Sequence, residues 1–139
     1  MTKYETQGDL DNEARVMNAL AQKYNLQLVK CPERYRMDAV FMKGDKIHAF
    51  VEFKRRKCRS DRWPTMFVSL SKAMWAEELR RITGIPVQLV VEWEDKIGAI
   101  DMRMHCDVTV GGRSDRNDPN DYDLVAHYKI DGFKTLDLF

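Results

Sequence analysis

Residues 35–59 read YRMDAVFMKGDKIHAFVEFKRRKCR, and they restrict the fold more than any other part of the chain. Two apolar runs flank Gly44-Asp45, a pattern that predicts a β-hairpin with strands over about 34–42 and 47–55. Asp38 interrupts the first run, and Glu52 and Lys54 interrupt the second. Strand interiors seldom carry charge without a partner. Side chains alternate across a strand, so Glu52 and Lys54 share one face while Val51 and Phe53 take the other. Val40, Met42 and Phe50 fall on the faces that carry the charges. The charges therefore break apolar faces and do not extend polar ones.

Two loop geometries connect these strands. A three-residue loop, Gly44 to Lys46, sets Asp38 opposite Glu52. A two-residue Gly-Asp turn sets Asp38 opposite Val51 unless a β-bulge restores the first pairing. The expectation is that Asp38 and Glu52 lie on one face within reach of each other. Carboxylates that close repel, and one is driven toward protonation. A hard divalent cation such as Mg²⁺ removes the conflict, because it takes oxygen ligands from one or two carboxylates, water and substrate phosphate. A lysine beside such a pair can stabilise charge developing on a phosphate.

Around the hairpin the 139 residues suit one domain, with a core over about 9–102 and C-terminal strands and a polar loop over 103–139. A helix is predicted over about 9–24, capped by Asp9, with Leu10, Ala14, Met17, Ala21 and Tyr24 as its apolar stripe and Glu13 lying on that stripe. A strand over 26–30 follows. A second helix is predicted over about 65–83, ended by Gly84 and Pro86. PVQLVVEW and KIGAIDM read as two strands joined at Glu94-Asp95, and MHCDVTV and YDLVAHYKI as two more. The Gly-, Asn- and Asp-rich stretch over 111–121 between them reads as a loop.

Composition removes several classes of function. No apolar run approaches the roughly 18 residues of a membrane span, and the N-terminal residues carry no apolar signal core; an intracellular, cytoplasmic protein with no membrane partner is expected. The three cysteines, Cys31, Cys58 and Cys106, form no CxxC pair, and the three histidines show no HExxH spacing, so neither a zinc ribbon nor a zincin is indicated. Net charge is +1, but residues 54–62, KRRKCRSDR, hold six basic groups and one acid, a net of +5 that leaves −4 on the rest. A basic knot on an acidic body predicts a local anion site.

Asp38-x13-Glu52-x-Lys54 on consecutive strands, following a helix that carries Glu13, resembles the PD-(D/E)XK nuclease superfamily. Motif and element order match over about residues 9–93. Met37 stands where the motif has proline. The resemblance implies an α/β, restriction-endonuclease-like αβββαβ core, a mixed central sheet flanked by helices, here with a C-terminal β extension. It implies Asp38 and Glu52 as metal-binding acids, the backbone carbonyl of Phe53 as a further ligand, Lys54 as the catalytic lysine, and Glu13 as the first-helix acid. One or two Mg²⁺ or Mn²⁺ ions and hydrolysis of a phosphodiester follow from it. DNA is the expected substrate, with RNA left open, and the function expected is that of an endonuclease or resolvase-like enzyme of a phage or mobile element.

Arg55, Arg56, Lys57, Arg59 and Arg62 leave the strand that carries Lys54, a position suited to phosphate contacts. Lys72 lies on the second helix's apolar stripe of Val68, Trp75, Leu79 and Ile82, where it either snorkels to the surface or points at the site. The three tryptophans are expected to be core or half-buried, although Trp63, beside Pro64 in the basic loop, is also placed to stack on a base. One such site per chain means that cutting both strands of a duplex takes a homodimer or two visits. The rival reading is a non-catalytic nucleic-acid-binding or protein-interaction module on the same fold.

Overall fold

The computed structural model describes residues 7–32, 35–112 and 122–139. The first helix, α1, is Gln7–Lys23. Its buried side chains are Glu13, Val16, Met17, Leu20 and Ala21, recurring every three to four residues as one helix face. The predicted stripe is thus rotated: Ala14 is exposed, and Tyr24 lies beyond the helix and is exposed. Glu13 does fall on the buried face. Asn25 stops α1 in a left-handed conformation, φ 53°, one that asparagine tolerates better than most residues. α1 begins before Asp9, whose side chain, proposed as the cap, lies outside the described residues.

The strands β1 (Gln27–Lys30), β2 (Ala39–Lys43) and β3 (Lys46–Arg55) follow as an antiparallel meander. Residue 34, where the first hairpin strand was expected to begin, is outside the described set, and β2 starts at Ala39. The turn is the two-residue version: Lys43 faces Lys46, and Gly44 takes φ 65°, the pattern of a type II′ turn with glycine first. Met42 then faces Ile47, but Phe41 faces Ala49. His48 is the extra residue of a bulge, and it shifts the ladder by one. Beyond it Val40 faces Phe50 and Ala39 faces Val51, which carries Asp38 to the level of Glu52.

The expected second helix is two elements. Thr65–Ser69 is a strand, β4, and α2 is Leu70–Thr83. Helical periodicity loses here to pairing, because β4 is hydrogen-bonded along its length to β8 (Tyr122–Lys129). Its residues alternate, with Met66 and Val68 buried and Phe67 exposed, which is the period of a strand. Val68 therefore lies on β4 and not on the α2 stripe, and Ile82 is exposed. Gly84 ends α2 as predicted, with φ 72° and its N–H donating to the Arg80 carbonyl. β5 (Val87–Glu92), β6 (Ile97–Asp101), β7 (Asp107–Gly112) and β9 (Lys134–Leu136) complete the strands. Residues 113–121 of the expected polar loop lie outside the described residues.

Two sheets result, a six-stranded one in the order β1-β2-β3-β5-β6-β9 and a three-stranded one in the order β4-β8-β7. The larger sheet is mixed: β3 and β5 run parallel and the other pairs are antiparallel. Apolar layers cover both of its faces. Val16, Met17, Leu20 and Ala21 of α1 pack on Ala39, Val51, Phe53 and Val90. On the other side α2 and the small sheet pack on Phe50, Leu89, Val91 and Met102. Met37, in the place of the motif's proline, is almost fully buried in this second layer. β8 and the turn after it belong to the same layer through Ala126, Tyr128 and Phe133, while β9 edges the larger sheet. β3 is central, so Ala49–Phe53 are buried on both faces, and a carboxylate in that run is removed from water by the fold itself.

Candidate active site

Asp38 sits at the end of the β2–β3 ladder. Its N–H donates to the Val51 carbonyl at 3.1 Å, and its carbonyl accepts from the Cys31 N–H at 2.9 Å. Where the next rung would form, β2 has ended, and the Asp38 carboxylate takes its place: Oδ2 accepts from the Phe53 N–H at 2.7 Å. The acid is thereby fixed against the strand that carries the other motif residues. In a paired strand a residue's N–H and C=O leave on the same side, so the Phe53 carbonyl is turned toward the same edge as the Asp38 carboxylate.

Glu52 lies one residue back on β3, 3% exposed. Two ammonium groups flank it. Lys54 Nζ is 3.7 Å from Oε1, and Lys72 Nζ, from α2, is 3.2 Å from Oε2. The Lys72 ammonium also donates to the Arg36 carbonyl, so it is shared between that oxygen and the buried Oε2. Burial first, and then the Asp38 charge, push the Glu52 carboxyl up to about 7, against the opposing pull of Lys54 and Lys72. Asp38, Glu52, Lys54 and Lys72 are thus gathered in one cluster, with Lys72 partly buried and facing inward.

Glu13 is placed differently. It is buried on α1 and ion-paired with Lys30 of β1. Among the described residues no group of three or more His, Cys, Asp and Glu side chains is placed to hold a metal ion, so the first-helix acid is not drawn into a triad with Asp38 and Glu52. The early turns of α1 still lie over the same end of the sheet: Arg15 pairs with Glu92 at the end of β5, and Glu92 also lies 3.6 Å from Arg55. Cys31, which no spacing marked, is a neighbour of the acids. Burial, with Asp38 next, raises its thiol above the usual range.

The basic run divides by role. Arg56 turns inward and donates to the Phe67 carbonyl at 2.9 Å, tying the strand exit to β4. Arg59 pairs with Asp61 at 3.3 Å and approaches Asp95 at 3.9 Å. Asp95 in turn accepts from both the N–H and the hydroxyl of Ser60, each at 2.7 Å. Arg55, Lys57 and Arg62 are exposed, Arg62 lying over the Trp63 ring at 4.7 Å. Trp93 is buried and Trp75 half-buried, as expected, but Trp63 is 60% exposed. It stands in the charged run between Arg62 and Pro64 and lines the surface without entering the core.

The donor set fits a hard divalent cation. It offers carboxylate oxygens of Asp38 and Glu52, the latter buried, and a backbone carbonyl, with no sulfur or imidazole among them. Two carboxylates with one carbonyl leave room for water and substrate oxygens, as Mg²⁺ and Mn²⁺ require.

Residues 1–136 match the family model described as "Phage putative PDDEXK endonuclease". No curated protein matches the chain. Among solved structures, the fold is similar to that of Hjc, a Holliday junction resolvase from the archaeal hyperthermophile Archaeoglobus fulgidus. The TM-score is 0.60 at 11% identity, over 92% of this chain and 90% of that one. The family match over nearly the whole chain and the shared fold agree, and the chain belongs to the phage PDDEXK endonuclease family of the PD-(D/E)XK superfamily.

Proposed function

We propose that the protein is a divalent-cation-dependent endonuclease that hydrolyses phosphodiester bonds in DNA, with Asp38, Glu52 and the Phe53 carbonyl as the cation's protein ligands and Lys54 as the catalytic lysine. The observation that carries this reading is the convergence of two carboxylates, Asp38 held by the Phe53 N–H and Glu52 buried beside it with its carboxyl pushed up to about 7. Burying one carboxylate beside another disfavours its ionised form, and a bound cation would offset that cost.

A divalent ion held there would lower the pKa of an attacking water and offset charge on the phosphate and the leaving oxygen. The chain's own groups do the rest. The Phe53 N–H fixes Asp38 before substrate arrives, so no reorganisation is needed. Lys54, 39% exposed at its side chain, reaches from the acid pair toward solvent, where it can orient a water and stabilise charge on the scissile phosphate. Lys72 offsets the Glu52 charge from the opposite side and favours the ionised carboxylate that a cation needs. Arg55, Lys57, Arg59 and Arg62 contact phosphates flanking the cut, while Arg56 acts by holding the strand exit. Glu13, neutralised by Lys30, serves as an outer acid. The substrate is read as DNA from the family's endonuclease character and the net +5 of residues 54–62.

Cleavage of supercoiled plasmid and of labelled oligonucleotides in Mg²⁺ or Mn²⁺ tests the assignment. Wild type is expected to cut, and Asp38→Ala, Glu52→Ala and Lys54→Ala each to lose at least about 10³-fold in rate while keeping the fold by circular dichroism. Equal cleavage by all three variants would place the activity elsewhere.

A further inference from the structure

Past the end of the strand that carries Glu52 and Lys54 lies a second concave feature that the hydrolytic chemistry does not use. A cleft of 440 Å³ opens where β3 ends, walled by Trp63, Pro64, Met66, Phe67 and Ile130, with Arg56 at its edge. That volume is in the range of a small-molecule site, roughly 300–1,000 Å³. The wall is predominantly apolar and carries two aromatic side chains left in water, Trp63 at 60% and Phe67 at 42% exposure. Contiguous exposed apolar surface of this kind marks ligand-binding grooves and interaction sites.

Cations accompany both rings. The Arg62 guanidinium lies 4.7 Å from the centre of the Trp63 ring, and that of Arg56 lies 5.9 Å from the centre of the Phe67 ring. The cleft is built in advance. Ile130 donates to the Pro64 carbonyl at 3.1 Å, Glu94 to the Cys58 carbonyl at 3.0 Å, and Arg56 to the Glu92 carbonyl at 2.9 Å. Ser60 is clamped by Asp95. On the back wall His127 is held between the Thr65 and Thr109 hydroxyls, at 2.7 and 2.8 Å.

We infer that this cleft receives an unpaired nucleobase a short way along the strand from the cleaved phosphate, so that the enzyme selects DNA carrying unpaired nucleotides over continuous duplex. The inference rests on the nuclease reading above and specifies its substrate. Aromatic rings with flanking arginines are the surface on which single-stranded bases stack, tolerant of sequence because every base has a π-face. A base held inside a duplex cannot reach such a wall. Arg56 follows Glu52 by four residues of extended chain, about 13 Å, so a strand with its phosphate at the acids would bring the base of a nearby nucleotide to the cleft. The hydrogen-bonding side chains of the back wall are already engaged with one another, which argues for stacking over base-edge readout.

Two DNAs of equal length, one fully paired and one with three unpaired nucleotides at its centre, test this by fluorescence anisotropy. The protein is the full chain with Lys54→Ala, which keeps both carboxylates but blocks turnover, in Mg²⁺. The DNA with unpaired nucleotides should bind roughly 5- to 150-fold more tightly, the range of one stacked base. Adding Trp63→Ala should remove that difference and leave affinity for the paired DNA unchanged, and adding Trp63→Phe should keep it. Trp63 is exposed, so its loss does not threaten the fold, and a thermal melt confirms this. Equal binding of both DNAs, or a preference untouched by Trp63→Ala, overturns the inference but leaves the nuclease reading standing; the cleft would then serve another apolar ligand. Failure of both DNAs to bind overturns both readings.

Discussion

Glu52 is the residue at which fold and chemistry conflict most. Its carboxyl is raised from 4.5 to about 7, by burial first and Asp38 second. The folded state therefore binds a proton that the unfolded state has released between those values, and stability falls as pH rises through that window. The cost is complete above about 7 and amounts to about 3 kcal/mol at 1.36 kcal/mol per pH unit. In EDTA the wild type should melt higher at pH 5 than at pH 8. Glu52→Gln should flatten that profile and melt higher than wild type at pH 8, and a profile unchanged by the substitution would contradict the account. Cation affinity runs the other way and should rise with pH through 7, with proton release on binding. Glu13→Gln should cost only about 10- to 100-fold in cleavage, as outer partners of metal ligands do, because Lys30 already holds that acid; a loss equal to that of Asp38→Ala would make Glu13 a direct ligand. The sequence marks these residues through misplaced charge: Asp38, Glu52, Lys54 and Lys72 each break an apolar pattern. It gives no sign of Cys31 or of the Arg36 carbonyl, whose parts depend on chain segments that meet only after folding.

At the scale of elements, the hairpin shows how local chemistry and tertiary need are reconciled. Gly44-Asp45 favours a two-residue turn, which alone would set Asp38 against Val51, and the bulge at His48 restores Asp38 to Glu52. Both loop geometries were legible in the sequence, but the choice between them was not, because a bulge leaves little local signature. The start of α2 was misread for a related reason. A five-residue apolar stretch fits strand or helix equally, and only β8, nearly sixty residues further on, decides for strand. The end of α2 needed no such partner. Gly84 at φ 72° is written into the chain locally, and Gly84→Ala should lower stability by about 1 kcal/mol in urea denaturation with cleavage unaffected. No measurable loss would mean that α2 ends by tertiary packing.

For the whole molecule, charge is concentrated where the acids open. Residues 54–62 carry +5 and the rest of the chain −4, so DNA should meet one face and be repelled by the others. With about four phosphates neutralised, affinity should fall roughly 10²-fold between 50 and 200 mM salt; a flat salt response would remove the basic knot from the interface. A single site per chain also predicts that supercoiled plasmid passes through a nicked intermediate before linear product. Direct linearisation would show two chains acting together.

The central claim is that Asp38 and Glu52 converge to hold one divalent ion. Calorimetric titration of Mn²⁺ into wild type, Asp38→Ala and Glu52→Ala at pH 8, without DNA, measures this directly. The account predicts saturable binding in wild type that is lost in both variants. Binding of equal strength in all three proteins would contradict it.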